Sequence, residues 1–447
     1  MYMDMYIMLH PDTACRIGID LFEKVFIQFG MQCLEVLIRF DSGLETDTII
    51  LSKRAVNILS IPVFLKYEMV FIKHTLIIGP FIGILHSCTG DAPVEFIEKS
   101  LYFIEHYKDI NGAILSFSFD DIVKDERKIK GYIYDPNQQK WISGMYPYPA
   151  SIFKYAVIDE EQLLFLQNEF RKNFYNAYRF NKWEMYSWLI QDTSLCAHIP
   201  PTILYTKPED IFYFLNEHTS IYVKPICGYK GIGIIKIYKN NNIISALFKQ
   251  DDEIVKAEFD KMDDAHIFFG NYLTPGGYII QKMLDISFEK NQVVDFRLIL
   301  MKDQYGEWID LGVFGRIGSP DSIVSNRSGG GKVEKASFVL KQIYEFSDNE
   351  ALVYRTQMSA IAEEAAKALD KLGLVMGRYG IDLAIDKNKN IWLIEMNHTN
   401  PNDEIGLYAG DEDLIHKIRF FNMLYAKKLA GFQKDIQHID IKLLCGD

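Results

Sequence analysis

The sequence predicts a multidomain protein of mixed α+β and α/β class, and three observations indicate it. The first 85 residues contain short alternating apolar runs, residues 86–178 mix strand and helix patterns, and residues 179–440 contain longer strands and helices. A chain of 447 residues is also long enough for two or three domains. We therefore expect a β-rich domain over 1–85, an α/β domain over 86–178 and a larger α+β domain over 179–440.

The two N-terminal regions differ in their patterns. Runs such as "QCLEVLIRF" and "DTIILS" alternate between apolar and polar residues and are separated by turn residues, which is typical of short strands. The next region combines an apolar stripe at helical spacing in "APVEFIEKSLYFIEHYKD" with strand-like runs such as "GAILSFSF" and "IKGYIYD". These patterns predict a small β-rich domain followed by a small α/β domain.

The C-terminal region begins with the predicted helices "KWEMYSWLIQ" and "EDIFYFLNEH" and continues with six strands, from "SIYVKPI" to "WIDLGVFGRIG". Ser347 and Glu350 form a capping box at the start of a long helix, and Gly373 stands where that helix should end. Two further strands, "YGIDLAID" and "IWLIEMN", are joined by the turn-like "KNKN". We expect the last forty residues to be helical.

Composition limits the classes of function. The net charge of −12 argues against nonspecific binding to nucleic acid or to anionic membranes, so any phosphate site must be a local positive pocket. The N-terminus lacks the basic region of a signal peptide, and the most apolar stretch is interrupted by Lys73, His74 and Pro80. Six scattered cysteines without a CxxC pair favour reduced thiols and a cytoplasmic location.

The segment "YVKPICGYKGIGIIKIY" combines a cation with flexible backbone. Lys224 ends a strand-like run and is followed by Gly228, Gly231 and Gly233. Glycines at such density occur where the backbone turns sharply or approaches a ligand closely. A lysine beside exposed backbone N–H groups favours phosphate as that ligand.

The predicted C-terminal hairpin carries oxygen ligands. Glu395 and Asn397 are two residues apart on one strand and therefore share a face, and pairing of the two strands would bring Asp382 beside them. Two carboxylates and an amide oxygen suit Mg²⁺, which commonly also binds substrate phosphates. Together with the glycine-rich segment, the hairpin predicts a site for a nucleoside triphosphate.

Three common phosphate or nucleotide motifs do not fit. "SGGGKV" has Val333 where a P-loop has Ser or Thr, and the spacing to an earlier glycine is wrong. The HRD and DFG motifs of protein kinases do not occur, and "DFR" at 295–297 is the only similar segment. The opening stretch contains no GxGxxG motif of a dinucleotide-binding domain.

The order of these segments resembles the ATP-grasp superfamily over about residues 180–430. Within it, "IIGPFIGIL", "KGYIYD" and "YPYP" also resemble the YheC/YheD family of endospore coat-associated proteins. The resemblance implies an ATP-grasp fold, in which two α+β subdomains clasp ATP, here preceded by the β-rich domain and a pre-ATP-grasp α/β domain. "NHTNPN", after the predicted metal-binding asparagine, is longer than the family's usual form.

The resemblance assigns roles to individual residues. Lys182 and Lys224 would contact the phosphates, "GYKGIG" would cover them, and "IIQKML" would hold the adenine, with Gln281 where the family often has Glu. The implied ATP-binding residues are Lys182, Lys224, Gly228, Lys230, Gly231, Gly233, Gln281, Lys282, Met283 and Leu284. Arg297, Arg316 and Asn326 would act in catalysis, with Gly329 and Gly330 near them. Asp382, Glu395 and Asn397 would bind two Mg²⁺ ions, which Mn²⁺ could replace.

The implied activity is that of an ATP-dependent ligase. A carboxylate, on a small molecule or a peptide, would be joined to an amine or thiol through an acyl phosphate, with release of ADP and phosphate. The resemblance further implies spore-coat proteins as partners and deposition in or on the coat. Two alternatives stay open: a nucleotide-binding coat scaffold without turnover, and a phosphotransferase that stops at the phosphorylated acceptor.

Two residues near the predicted site invite separate interpretations. Arg378 lies where the YheC/YheD family tends to carry an acidic residue, which favours an anionic second substrate. His398 follows the predicted metal ligands and could act as a general base. We favour a hydrogen-bonding or solvated role for this histidine.

Overall fold

The computed structural model of the chain contains four β-sheets among the residues that it describes. It describes residues 5–87, 89, 101–228, 231–250, 253–288, 292–320, 330–399, 401, 403–433 and 439–446. No helix in these ranges is long and apolar enough to span a membrane.

The first sheet is a closed barrel built from both ends of the chain. Alternating residues such as Val25, Ile27 and Phe29 fill its interior. The last strand, β25, pairs with β4 in parallel and with β5 antiparallel, so the prediction of helix over the last forty residues is wrong for this strand. The barrel elements are β1 (Tyr6–Leu9), α1 (Pro11–Ile17), β2 (Lys24–Phe29), β3 (Gln32–Phe40), β4 (Thr48–Ser52), α2 (Lys53–Leu59), β5 (Lys66–Ile72), β6 (Thr75–Gly79) and β25 (Ile439–Gly446).

The second sheet packs against the barrel within one continuous hydrophobic core. Its strand order is β11-β10-β8-β7-β12-β13, with β9 paired to β10. The elements are β7 (Phe81–Ser87), α3 (Leu101–Ile104), α4 (Tyr107–Ile110), β8 (Ala113–Ser118), β9 (Ile122–Val123), β10 (Lys128–Asp135), β11 (Lys140–Pro147), β12 (Ser151–Lys154), α5 (Glu160–Phe170) and β13 (Phe174–Tyr175). The mixture of helix and strand agrees with the pattern of this region.

The third sheet is antiparallel, in the order β14-β19-β15-β16-β17-β18. Two helices cover one face through a core that includes Ile211, Phe214 and Phe269. The elements are β14 (Thr202–Leu204), α7 (Pro208–His218), β15 (Ser220–Pro225), β16 (Ile235–Asn240), β17 (Ile243–Gln250), β18 (Glu253–Phe259), α8 (Met262–Tyr272) and β19 (Tyr278–Lys282).

The fourth sheet is also antiparallel, in the order β22-β21-β20-β23-β24. Its long helix has the predicted capping box of Ser347 and Glu350, and Gly373 follows its end with a φ of +81°. The elements are α6 (Lys182–Leu189), β20 (Val294–Lys302), β21 (Trp308–Ile317), β22 (Lys332–Lys335), α9 (Ala336–Gln342), α10 (Asp348–Lys371), β23 (Arg378–Ile385), β24 (Ile391–Asn397), α11 (Ile405–Tyr408) and α12 (Asp413–Leu429).

The core of the fourth sheet lies under α10 and α6. Met358, Ile361, Ala365 and Leu369 form the buried stripe of α10, whereas Leu372 is exposed. On the opposite face of β20, Ile299 and Met301 pack against α11 and α12, whereas Asp295 and Arg297 line a cavity. The division into domains at residues 85 and 178 stays a prediction.

Candidate functional site

A cavity of about 370 Å³ lies between the third and fourth sheets. Strands β15 and β19 form one wall, and β20, β21, β23 and β24 form the other, with α6 at one side. Among the described residues, its charged lining consists of four cations and three carboxylates: Lys182, Lys224, Arg297, Arg316, Asp295, Asp382 and Glu395. Six of these seven side chains belong to the predicted site.

The predicted hairpin of β23 and β24 positions the three proposed metal ligands. Asp382 lies directly opposite Glu395, and Gly380 lies opposite Asn397. The Asn397 Nδ2 donates a hydrogen bond to Asp382 Oδ2 over 3.3 Å. The pairing of the two strands therefore brings both carboxylates and the amide to one place, as the sequence predicts.

Asp382 is held between two arginines of the neighbouring strands. Arg297 donates to both of its oxygens, and Arg316 Nη2 lies 3.0 Å from Oδ2. Arg316 also donates to both oxygens of Asp295, over 2.6 and 2.7 Å. Burial raises the pKa of Asp382, but the two arginines outweigh burial and hold that pKa below its ordinary value. Asp382 is therefore a carboxylate at neutral pH.

Lys182 connects the hairpin to the glycine-rich segment. It is the first residue of α6, whose start is capped by Asn181. Its Nζ lies 3.0 Å from Glu395 Oε1 and donates over 3.0 Å to the carbonyl oxygen of Gly228. An ammonium in this position can approach both a phosphate and the proposed metal ligands.

Lys224 lies across the cavity and is held by a neutral partner. Its Nζ donates to Gln281 Oε1 over 2.6 Å, while Gln281 Nε2 donates to Thr202 Oγ1 over 2.9 Å. Burial lowers the pKa of Lys224 to about 8, and the nearby Lys182 adds to this effect against the attraction of Glu395 and Asp382. The oxygen of Gln281 thus already accepts a bond from Lys224, whereas the resemblance implied a bond from adenine.

Only some of the other residues that we predicted to bind the nucleotide line the cavity. Gly228 and Gly231 line the cavity, and Gly233, with a φ of +75°, lies in the adjoining turn. Three predicted adenine-binding residues do not line the cavity: Lys282, Met283 and Leu284. The Lys282 ammonium lies 5.9 Å from the centre of the Trp392 ring. The Met283 N–H donates a hydrogen bond to the Ser220 carbonyl oxygen. Lys230, Asn326 and Gly329 lie outside the described residues.

The apolar part of the cavity could hold a planar base. Its lining includes Ile199, Tyr222, Ile279, Ile286 and Leu393. Burial raises the pKa of Tyr222 to about 12, so its hydroxyl stays protonated at neutral pH. Apolar walls with a charged end are typical of a nucleotide pocket.

The donor set fits a hard divalent cation such as Mg²⁺. Asp382, Glu395 and Asn397 offer only oxygen ligands, which Mg²⁺ prefers, and they leave room for phosphate oxygens. Within the described ranges, no group of three or more His, Cys, Asp and Glu side chains is placed to bind a metal, so a site here depends on the amide oxygen of Asn397. Both carboxylates already form ion pairs: Glu395 pairs with Lys182, and Asp382 pairs with Arg297.

His398 and Arg378 have structural partners. His398 Nε2 accepts a hydrogen bond from the Phe180 N–H over 3.2 Å, and burial is the main cause that lowers its pKa to about 4. It is the hydrogen-bonding histidine that we favoured. Arg378 is 1% exposed and binds Asp403 over 2.9 and 3.1 Å. Arg378 is not among the residues that line the cavity, and the expectation of an anionic second substrate stays a prediction.

Sequence reasoning gave no role to three residues of this site. Tyr222 and Asp295 lie two residues before Lys224 and Arg297, so the two-residue period of a strand could have placed them on the same faces. Thr202 fixes Gln281 from β14, a strand far away in sequence. No local signal marks Thr202.

Comparison with known proteins identifies the family. Residues 171–429 match the family described as YheC/D like ATP-grasp, which is more than half of the chain. The endospore coat-associated protein YheD of Bacillus subtilis (strain 168) is 25% identical over 384 residues, covering 83% of each chain. The endospore coat-associated protein YheC of the same organism is 21% identical over 291 residues, covering 63% of this chain and 79% of the relative.

A similar solved structure was also found. The ATP-grasp ligase PsnB, complexed with its precursor peptide PsnA2 and AMPPNP, aligns with a TM-score of 0.43 and 14% identity, over 78% of this chain and 98% of that chain. The family assignment rests on the match over residues 171–429, which includes every described charged residue of the cavity. The chain belongs to the YheC/YheD family of ATP-grasp proteins.

Proposed function

We propose that the protein is a Mg²⁺- and ATP-dependent ligase that joins a carboxylate to an amine or thiol. The observation that carries the proposal is the convergence of Lys182, Lys224, Arg297 and Arg316 on one cavity with the carboxylates of a β-hairpin. Phosphoryl transfer depends mainly on positioning and on fixed positive charge around the transferred group. The cavity supplies both requirements from three strands and the start of helix α6.

The reaction has two balanced steps. A carboxylate oxygen of the first substrate attacks the γ-phosphorus of ATP, the bond to the β-phosphate oxygen breaks, and ADP leaves. The amine nitrogen then attacks the acyl carbon, phosphate leaves with the bonding electrons, and the amine releases a proton. The products are an amide, ADP and phosphate.

Individual residues have distinct roles in this proposal. Lys182 and Lys224 hold the phosphates, and Arg297 and Arg316 face the transferred group. Asn326, which lies outside the described residues, is assigned the same role from the family resemblance. Asp382, Glu395 and Asn397 would hold Mg²⁺, whose bound charge would neutralise the triphosphate. The glycine-rich segment excludes water from the acyl phosphate. We further propose association with spore-coat proteins, as the names of its relatives suggest. The proposal of a cytoplasmic location rests on the scattered cysteines of the sequence.

The test measures products directly. The protein is incubated with ATP and Mg²⁺ and with pooled acids, pooled amines, or both, and ADP, AMP and phosphate are quantified. We expect repeated turnover to ADP and phosphate only when an acid and an amine are both present, because the acid alone yields at most one ADP per protein through the first step. Phosphate transfer without an amine would indicate a phosphotransferase, and tight ATP binding without turnover would favour the nucleotide-binding coat scaffold.

A further inference from the structure

A second cavity, of about 410 Å³, adjoins the first and shares part of its lining. Lys182, Gly228, Glu395 and Asn397 belong to both cavities. Because the shared part includes two of the proposed metal ligands, a molecule in the second cavity would lie next to the phosphates that we place in the first. The second cavity is therefore suited to hold the second substrate of the reaction.

The charges of the second cavity are unequally satisfied. Its charged lining, among the described residues, consists of Arg179, Lys182, Glu184 and Glu395. Lys182 and Glu395 pair with each other over 3.0 Å. Arg179 is exposed, so water screens its charge, and it donates a hydrogen bond to the Ile158 carbonyl oxygen. Glu184 is only partly exposed and has no ion-pair partner in the part of the chain that the structure describes.

The start of helix α6 holds the Glu184 carboxylate in place. Glu184 Oε2 accepts a hydrogen bond from the Asn181 N–H over 2.7 Å, and Asn181 Oδ1 accepts one from the Glu184 N–H over 2.9 Å. These two bonds form a capping box. The box uses one oxygen of a carboxylate that can accept about four hydrogen bonds. Glu184 can therefore cap the helix and bind a ligand at the same time.

A partly buried carboxylate without a counterion favours a cation as its ligand. An ammonium carries the opposite charge and has three donors, so it forms the stronger, charge-assisted type of hydrogen bond. A thiol is a weak donor, and a thiolate would be repelled by the carboxylate. Of the two acceptor classes that the proposed function leaves open, the amine is therefore the one that this cavity recognises.

We propose that the second cavity binds the acceptor substrate and that Glu184 recognises the amine of this acceptor in its ammonium form. This inference rests on the proposed function and selects an amine over a thiol as the second substrate. Glu184 follows Lys182 by two residues in the first turn of α6, and both line the second cavity. The amine would thus be held close to the part of the lining that the two cavities share.

The test compares matched ligands by ligand-observed NMR titration, with a non-hydrolysable ATP analogue and Mg²⁺ present. One set of probes is ethanolamine, ethylene glycol and 2-mercaptoethanol, and the other is glycinamide, glycolamide and thioglycolamide. Within each set the amine is replaced by a hydroxyl or a thiol. We expect at least one amine to bind about tenfold more tightly than its two analogues, as a charge-assisted bond implies.

Glu184→Gln separates recognition of the amine from capping of the helix. Glutamine also completes a capping box, so the variant should keep its Tm and its affinity for the ATP analogue. The preference for the amine should nevertheless fall from about tenfold to about onefold, because the charge is lost. The control Glu350→Gln makes the same change in the capping box of α10 and should keep the preference of wild type.

Three results can be distinguished. Failure of the wild type to bind the ATP analogue would contradict the proposed function. Binding of the analogue without a preference for the amine in either set of probes would overturn the acceptor proposal alone. An unchanged amine preference in Glu184→Gln would also overturn it, because another group would then recognise the amine.

Discussion

The Nζ of Lys224 and the Oε1 of Gln281 lie 2.6 Å apart across two neighbouring strands. Thr202 Oγ1 accepts a hydrogen bond from Gln281 Nε2, so the amide oxygen of Gln281 is the atom that faces Lys224. Because the partner is neutral, Lys224 is positioned without losing its positive charge. This arrangement keeps a cation available for a phosphate.

The lowered pKa of Lys224 predicts that ATP affinity depends on pH. With a pKa of about 8, its ammonium loses its proton earlier than an ordinary lysine. We expect the Kd for ATP to rise above pH 8, by up to about tenfold per pH unit. Calorimetric titrations between pH 7 and 9.5 measure this profile. A Kd that stays constant over the range would contradict the phosphate-binding role of Lys224.

The free energy of unfolding should increase with pH over the range in which the affinity for ATP decreases. Between pH 8 and the ordinary lysine pKa of 10.5, the unfolded chain binds more protons at Lys224 than the folded protein. The contribution of this group to the free energy of unfolding therefore increases as pH rises through that window. Denaturant titration of wild type and Lys224→Met measures the difference, which should diminish toward high pH. A difference that is independent of pH would contradict the lowered pKa.

Gln281→Glu should move the pH profile of ATP binding. A carboxylate beside Lys224 would raise the pKa of its ammonium, so the loss of affinity should begin about one pH unit higher than in wild type. The same titrations measure this shift. Gln342→Glu adds an identical charge at an exposed helical position and should leave the profile unchanged. Identical pH profiles for Gln281→Glu and wild type would contradict the predicted effect of residue 281 on the pKa of Lys224.

Asp382→Asn should destabilise the fold. The substitution leaves Arg297 and Arg316 buried with one carboxylate fewer, and breaking a buried pair in this way costs about 3–5 kcal/mol. Denaturant unfolding measures the cost. A free energy of unfolding equal to that of wild type would mean that Asp382 does not stabilise the buried Arg297 and Arg316.

Glu395→Gln should separate chemistry from stability. This side chain is partly exposed and pairs with Lys182 alone among the described ion pairs, so we expect a stability change of less than about 1 kcal/mol. Turnover of ATP should nevertheless be lost, because a proposed metal ligand loses its charge. Normal turnover in a variant with normal melting would remove Glu395 from the metal site.

The sequence predicted the elements whose signals are local. Strand patterns located eight of the strands between β15 and β24, but not β18 or β22. The capping box of Ser347 and Glu350 located the start of α10. The barrel closure by Ile439–Gly446 could not be predicted, because its partners, β4 and β5, lie hundreds of residues earlier. A strand pattern in one segment does not specify which distant strand it pairs with.

The sequence likewise predicted those parts of the candidate site that depend on local pairing, and not those that depend on tertiary packing. Asp382, Glu395 and Asn397 were placed together because a short hairpin fixes their register. The hydrogen bond between Lys224 and Gln281 was not predictable, because it depends on side-chain geometry between strands. The burial of Arg378 against Asp403 likewise depends on tertiary packing and not on its own segment.

Calorimetric titration of ATP with Mg²⁺ into wild type and Lys224→Ala at pH 7 tests the central claim most directly. The claim is that the cavity between the third and fourth sheets binds the phosphates of ATP. We predict saturable one-site binding to wild type and at least a tenfold weaker affinity in Lys224→Ala, since a charge-assisted bond is lost. Equal affinities in two proteins with equal melting temperatures would contradict this assignment of the cavity.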